Sequence, residues 1–192
     1  MGLQNANFNP QPRATFFKSV MDFKHGTIEG GAGIGHSDPA LGELSTLGIG
    51  ALVINAAGDG IQDWGPIFPE LDHRKLIELA VVFCSTSTTT TDLISWKFLY
   101  DEMKMGVTVL AAPTTEIAFT ATAIAAAAYT PVKTPWYGVA GGTFKWDLTY
   151  EMPSFYSYEV EAHGLGTASA DEVYLLGLLY RGTPNWCREK DM

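Results

Sequence analysis

Ile94-Ser95-Trp96-Lys97-Phe98-Leu99-Tyr100 is the stretch on which the fold turns. Ile94, Trp96, Phe98 and Tyr100 recur at every second position, and a period of two puts them on one face of a β-strand with Ser95, Lys97 and Leu99 on the other. The run Ser85 to Thr91 ahead of it is polar and β-branched, the composition of a hairpin loop. Before that, Lys75 to Phe83 becomes too rich in β-branched residues for a helix. Further upstream, Ala51-Leu52-Val53-Ile54-Asn55 is stopped by the turn signal Gly58-Asp59-Gly60. Downstream, Ile117, Phe119, Ala121 and Ala123 alternate with Ala118, Thr120, Thr122 and Ile124. Phe144 to Tyr150, Phe155 to Glu161 and Val173 to Tyr180 add further β-type segments, separated by Gly and Pro. Short strands at this spacing, with no long amphipathic helix between them, predict an all-β antiparallel sandwich and disfavour a parallel α/β fold.

A chain of 192 residues suffices for one well-formed core. Hydrophobic residues make up 46% and charged residues only 17%, against about 25% charged in an average soluble protein, so global disorder is ruled out and a small free surface is expected. A net charge of −9 argues against nucleic acid or an anionic membrane as the main partner. The weakly polar run from Ile117 to Tyr129 falls short of the roughly 20 residues that span a bilayer, and the first twenty residues do not resemble a signal peptide. The expectation is therefore no membrane partner and no export. Cys84 and Cys187 read as two reduced thiols.

Charge is unevenly placed: Arg13, Lys18 and Lys24 outnumber Asp22 in residues 1 to 24. Phe16, Phe17 and Phe23 lie in the same stretch, with little sequence around them to build a core. The segment is read as an N-terminal arm whose anchors, on a neighbouring subunit or on a larger surface, are Arg13, Phe16, Phe17, Lys18, Phe23 and Lys24. Gly26 to Gly50 follows as a glycine-rich linker. The expected division is arm and linker over 1–49, sandwich over 50–183 and tail over 184–192.

Catalytic and ligand patterns are weak. His25, His36, His73 and His163 form no metal-ligand pair. Gly30-Gly31-Ala32-Gly33-Ile34-Gly35 has the wrong offsets for a dinucleotide loop and no strand before it. His36-Ser37-Asp38 are loop neighbours, whereas a triad is assembled from distant elements. Asp59 and Asp63 could reach one calcium ion but lack the remaining oxygen ligands, so a solvated turn is expected. Glu159 and Glu161 share one strand face and admit a glycosidase pair, ranked below a plain polar face. No enzyme activity and no cofactor or metal is expected. Trp136, Tyr137, Trp146, Tyr150, Phe155, Tyr156 and Tyr158 exceed what one core face absorbs, which leaves aromatic surface for an oligomer interface or for sugar stacking.

Two longer stretches, Thr88-Thr89-Thr90-Thr91-Asp92-Leu93-Ile94-Ser95-Trp96-Lys97-Phe98-Leu99-Tyr100 and Ala168-Ser169-Ala170-Asp171-Glu172-Val173-Tyr174-Leu175-Leu176-Gly177-Leu178, carry a resemblance. In order and arrangement, residues 70 to 180 resemble the small jelly-roll virion proteins of tailed bacteriophages. The resemblance implies a jelly-roll capsid decoration or cement protein, trimeric and in contact with the major capsid protein or another virion protein, assembled in the bacterial cytoplasm and located in the virion. It transfers no catalytic residue. The alternative is a carbohydrate-binding β-sandwich, a head-fibre or receptor-binding module, and a hydrolase using Glu159 and Glu161 ranks last.

Overall fold

A computed structural model describes residues 12–23, 41–44, 49–54, 56–104, 112–147, 152–166 and 173–185. Through these the chain runs β1 (Ala14–Ser19), a 3-10 turn (Val20–Asp22), β2 (Leu41–Leu44), β3 (Ile49–Ile54), β4 (Gly60–Pro66), β5 (Ile77–Ser85), β6 (Leu93–Met103) and β7 (Thr115–Ala118). It continues through β8 (Thr122–Ala123), β9 (Val132–Lys133), β10 (Tyr137–Val139), β11 (Trp146–Asp147), β12 (Met152–Pro153), β13 (Phe155–Gly164) and β14 (Val173–Gly182). One sheet has the order β10-β5-β14-β3-β2, with β1 also beside β14 and β9 beside β5. The facing one has the order β4-β13-β6-β7, with β8 beside β6, and β11 pairs with β12 in a small two-stranded ribbon. Both sheets are antiparallel, and the fold is an all-β sandwich.

The alternation in β6 holds from Ile94 to Phe98, where Ile94, Trp96 and Phe98 have no solvent exposure and Ser95 and Lys97 are half-buried, but not at the next two positions, where Leu99 is buried and Tyr100 half-buried. Phe83 of the facing sheet lies 5.5 Å from the Trp96 ring, so the aromatic face of β6 closes the core against β5. β14 is apolar nearly throughout because its inward phase changes midway. Val173 and Leu175 point into the core before a register shift between Leu175 and Gly177, and Leu178 and Tyr180 do so after it. Gly177 sits at that shift with φ +156°, and a Cβ there would lie 2.2 Å from the Lys18 carbonyl oxygen. One side of β14 is thus shared end to end, by β3 along Val173 to Leu175 and by β1 along Gly177 to Gly182.

The arm expected over residues 1–49 is corrected for residues 14–23, which belong to the sandwich. β14 has a free side beyond β3, and Thr15 to Lys18 alternate in a way that suits it: Phe16 stacks on Tyr180 with ring centroids 5.4 Å apart, while Thr15 and Phe17 face solvent. Val20 and Phe23 are then 1% and 6% exposed. Another expected pattern breaks at β7. Ile117 and Phe119 are buried, but Ala121 and Ala123 are exposed and Ile124 is buried instead, because the chain leaves β6 after Ala118 and pairs with it again at Thr122. Lys24, His25, the segment Gly30 to Asp38, Leu148 to Tyr150 and the tail from Trp186, with Cys187, lie outside the described residues.

Candidate functional site

β4 departs most from ordinary strand chemistry. Its pairing with β13, Gly60 opposite Glu161 through Pro66 opposite Phe155, fixes the alternation so that Ile61 and Asp63 point inward and Trp64 outward. An aspartate therefore occupies a core position, 1% exposed, beside a tryptophan that is 42% exposed. The solvated turn expected over Asp59 to Asp63 is corrected accordingly: Asp59 is also 1% exposed and accepts a 2.9 Å hydrogen bond from the Ala56 backbone N–H. Burial of Asp63 follows from strand pairing on the inward phase, while Asp59 is buried in the turn ahead of β4, where it bonds Ala56; the turn-like residue types concealed both.

Asp63 is tolerated because it is saturated with donors. The Trp64 backbone N–H donates to Oδ1 at 2.7 Å, the Tyr158 hydroxyl donates to Oδ2 at 3.0 Å, and the Lys18 ammonium makes a close ion pair with Oδ2. Lys18 also donates to the Tyr158 hydroxyl at 2.5 Å and lies 4.7 Å from the centroid of the Phe23 ring. Burial, and after it the neighbouring Asp63 carboxylate, pushes the Tyr158 phenol far above its ordinary range, so it stays protonated and serves as a donor. Tyr180 is shifted the same way, by burial and then by Glu70, to which its hydroxyl donates at 3.1 Å.

These groups form one side of a cleft of about 390 Å³. β1 contributes Phe17 and Lys18, β4 contributes Asp63, Trp64, Gly65 and Pro66, and Phe68, Pro69, Glu70, Tyr158, Tyr180 and Asp22 complete the lining. Two positions next to the cleft depend on unusual backbone. Gly65 has φ +147°, a region that side chains rarely occupy. Phe68 has φ +42°, and its ring is held between Phe98, Phe144 and Tyr180, with the Tyr180 centroid at 4.7 Å. Packing on three sides stabilises a conformation that a bulky residue otherwise avoids.

Of the six residues read as arm anchors, Phe16 and Phe23 are packed on the chain's own core, Phe17 and Lys18 line the cleft, and Arg13 forms a 2.6 Å ion pair with Glu78. Lys24 lies outside the described residues. Glu159 and Glu161 occupy the phase of β13 opposite to Tyr158 and Val160; Glu159 is buried, Glu161 half-buried, and neither lines the cleft. His73 is buried, with its Nε2 3.0 Å from the Phe68 carbonyl and its Nδ1 3.3 Å from the Lys145 carbonyl, so it bridges two loops. Among the described residues no group of three or more His, Cys, Asp or Glu is placed to hold a metal ion. Of the crowded aromatics, Tyr156 and Tyr158 are core, Trp136 is half-buried under the Arg181 guanidinium at 4.1 Å, and Tyr137 is 42% exposed.

Trp64, Glu70 and Tyr180 were not singled out by the sequence. The inversion at Asp63-Trp64, acid inward and aromatic outward, was the available signal, and it needs the phase of Ile61 to be read correctly first. The chain matches no protein-family model and no curated protein.

Proposed function

We propose that this chain is a bacteriophage virion structural protein, a capsid decoration or cement protein built on a jelly roll. The observation that carries the reading is the pairing of eight strands: β3 with β14, β4 with β13, β5 with β10 and β6 with β7. Numbered in chain order, these are first with eighth, second with seventh, third with sixth and fourth with fifth. One long antiparallel hairpin generates that set, and wrapping it adds the contacts β14 to β5 and β13 to β6. Such winding is the mark of jelly rolls, which recur in viral capsid proteins and in lectins. The resemblance of residues 70 to 180 to small phage virion proteins favours the first of these.

Protein–protein contact is the activity assigned to the molecule. Leu76 and Tyr137, 48% and 42% exposed, lie on adjoining parts of the β5–β10 edge and supply apolar surface for a trimer. Co-expression with the capsid proteins of the same genome, followed by gradient sedimentation of assembled particles, tests the reading: the chain should travel with the particles. Its absence from washed particles would remove the proposal.

A further inference from the structure

We propose that Lys18 and Asp63 condense to an amide, a covalent bond between the two sheets that forms within the folded chain and releases one water. Such a bond goes beyond the role proposed above and does not depend on it.

β1 pairs with β14 in one sheet and β4 with β13 in the other, so a bond from Lys18 to Asp63 ties the sheets together. Lys18 Nζ touches Asp63 Oδ2, with the lysine side chain 20% exposed and the aspartate 1%. The Phe23 and Tyr158 rings cover the ammonium, their centroids 4.7 and 5.0 Å away. An ion pair in such a place carries a desolvation cost that a neutral amide does not. Strand pairing also holds the amine against the carboxyl, and fixed proximity turns a slow bimolecular condensation into an efficient intramolecular one.

Each reacting atom has a partner suited to it. Lys18 donates to the Tyr158 hydroxyl at 2.5 Å, and that hydroxyl donates to Asp63 Oδ2 at 3.0 Å. One phenol thus bridges the nitrogen that must lose protons and the oxygen that must leave. Oδ1 accepts the Trp64 backbone N–H at 2.7 Å, a fixed donor at the atom where negative charge develops. Within the ion pair a proton first passes from the ammonium to Oδ2, giving a neutral amine and a carboxylic acid. The nitrogen lone pair then attacks Cγ, and the C=O π electrons move to Oδ1. Tyr158 takes a proton from the nitrogen as it gives its own to Oδ2. The Cγ–Oδ2 bond breaks with its electron pair, water departs into the cleft that these three residues line, and Oδ1 returns its electrons to restore the carbonyl. Nothing is oxidised or reduced, and no co-reactant enters. Burial keeps the Tyr158 phenol protonated, so the relay starts with its proton in place.

Electrospray mass spectrometry of the denatured full chain tests the bond. Its mass should fall below that of its sequence by one water, and a tryptic digest should contain a branched peptide joining the Lys18 and Asp63 segments. Lys18→Arg keeps a cation opposite Asp63 without an amine that condenses, and should restore the full mass. Tyr158→Phe keeps the ring and removes the relay, and should slow the loss of water after cell-free synthesis by about a hundredfold or more. An unchanged rate in Tyr158→Phe would overturn the relay. Ring closure at Asp59-Gly60 expels one water too, but it would survive Lys18→Arg and give no branched peptide; that pattern would overturn the bond, as would full mass in the unaltered chain. Mass and branched peptide of the unaltered chain decide the matter even where a variant folds poorly.

Discussion

Phe98 has no exposed surface and contacts the rings of Phe68, Tyr100, Phe144 and Tyr158. Truncation to alanine should cost about 3–5 kcal/mol, read from urea unfolding, because so many fixed rings cannot collapse into the space. A loss under about 1 kcal/mol would mean the site relaxes freely. The tyrosines make a second prediction. Tyr156 is pushed up to about 12, mainly by burial, and Tyr158 and Tyr180 further still. Each folded-state value lies above the ordinary 10.0, so the stability these phenols contribute is complete below pH 10 and is lost as the pH rises beyond it. Ultraviolet titration should find these three silent between pH 10 and 11, with their ionisation appearing together with loss of the near-ultraviolet dichroism. Glu78 works at the acid end. The Arg181 hydrogen bond, outweighing desolvation and reinforced by Arg13, holds its carboxyl below 4.5, so its contribution is present above that value and is lost as the pH falls through the folded-state value. Glu78→Gln should flatten the acid limb of a stability–pH curve.

Among the elements, β1 is where sequence and structure part. The strands around Ile54, Trp96, Tyr158 and Leu175 were legible because alternation, turn residues and one buried face agreed. Phe16, Phe17 and Phe23 looked like anchors on another molecule because nothing near them in sequence could bury them; the partners of Phe16 and Phe23, Tyr180 and Tyr158, come from strands more than a hundred residues further on, a distance that periodicity cannot see. Asp63 was misread for the related reason that its partners, Lys18 and Tyr158, lie 45 and 95 residues away along the chain. Two variants follow from this placement. Removing residues 1 to 23 should lower the melting temperature, since Val20 and Phe23 leave the core and buried apolar side chains of this size contribute about 1.5–3 kcal/mol each. Gly177→Ala should unpair β1 from β14 without dissolving the sandwich, because the added methyl meets the Lys18 carbonyl. Amide exchange would then quicken across Ala14 to Ser19 and stay slow in β5 and β6. Unchanged protection of β1 would mean that the backbone shifts to admit the methyl.

At the scale of the whole molecule, a low charged fraction and the exposed pair Leu76 and Tyr137 predict self-association. Light scattering at micromolar concentration should report about three chains per particle, and Tyr137→Glu should shift the population towards monomer. A monomer at every concentration would place the missing apolar partner on another protein. β14 touches β5, β3 and β1, and of the strands described here it is the furthest along the chain. On a ribosome adding about 5–20 residues per second, the roughly 150 residues between β1 and β14 take about 8–30 s to emerge. For all that time Phe16 has no Tyr180 to stack on. The nascent chain can assemble β4, β6 and β13 while β3 and β5 wait for the same late arrival, so the yield of native protein is expected to depend on translation speed and chaperone access as well as on the final energy of the sandwich.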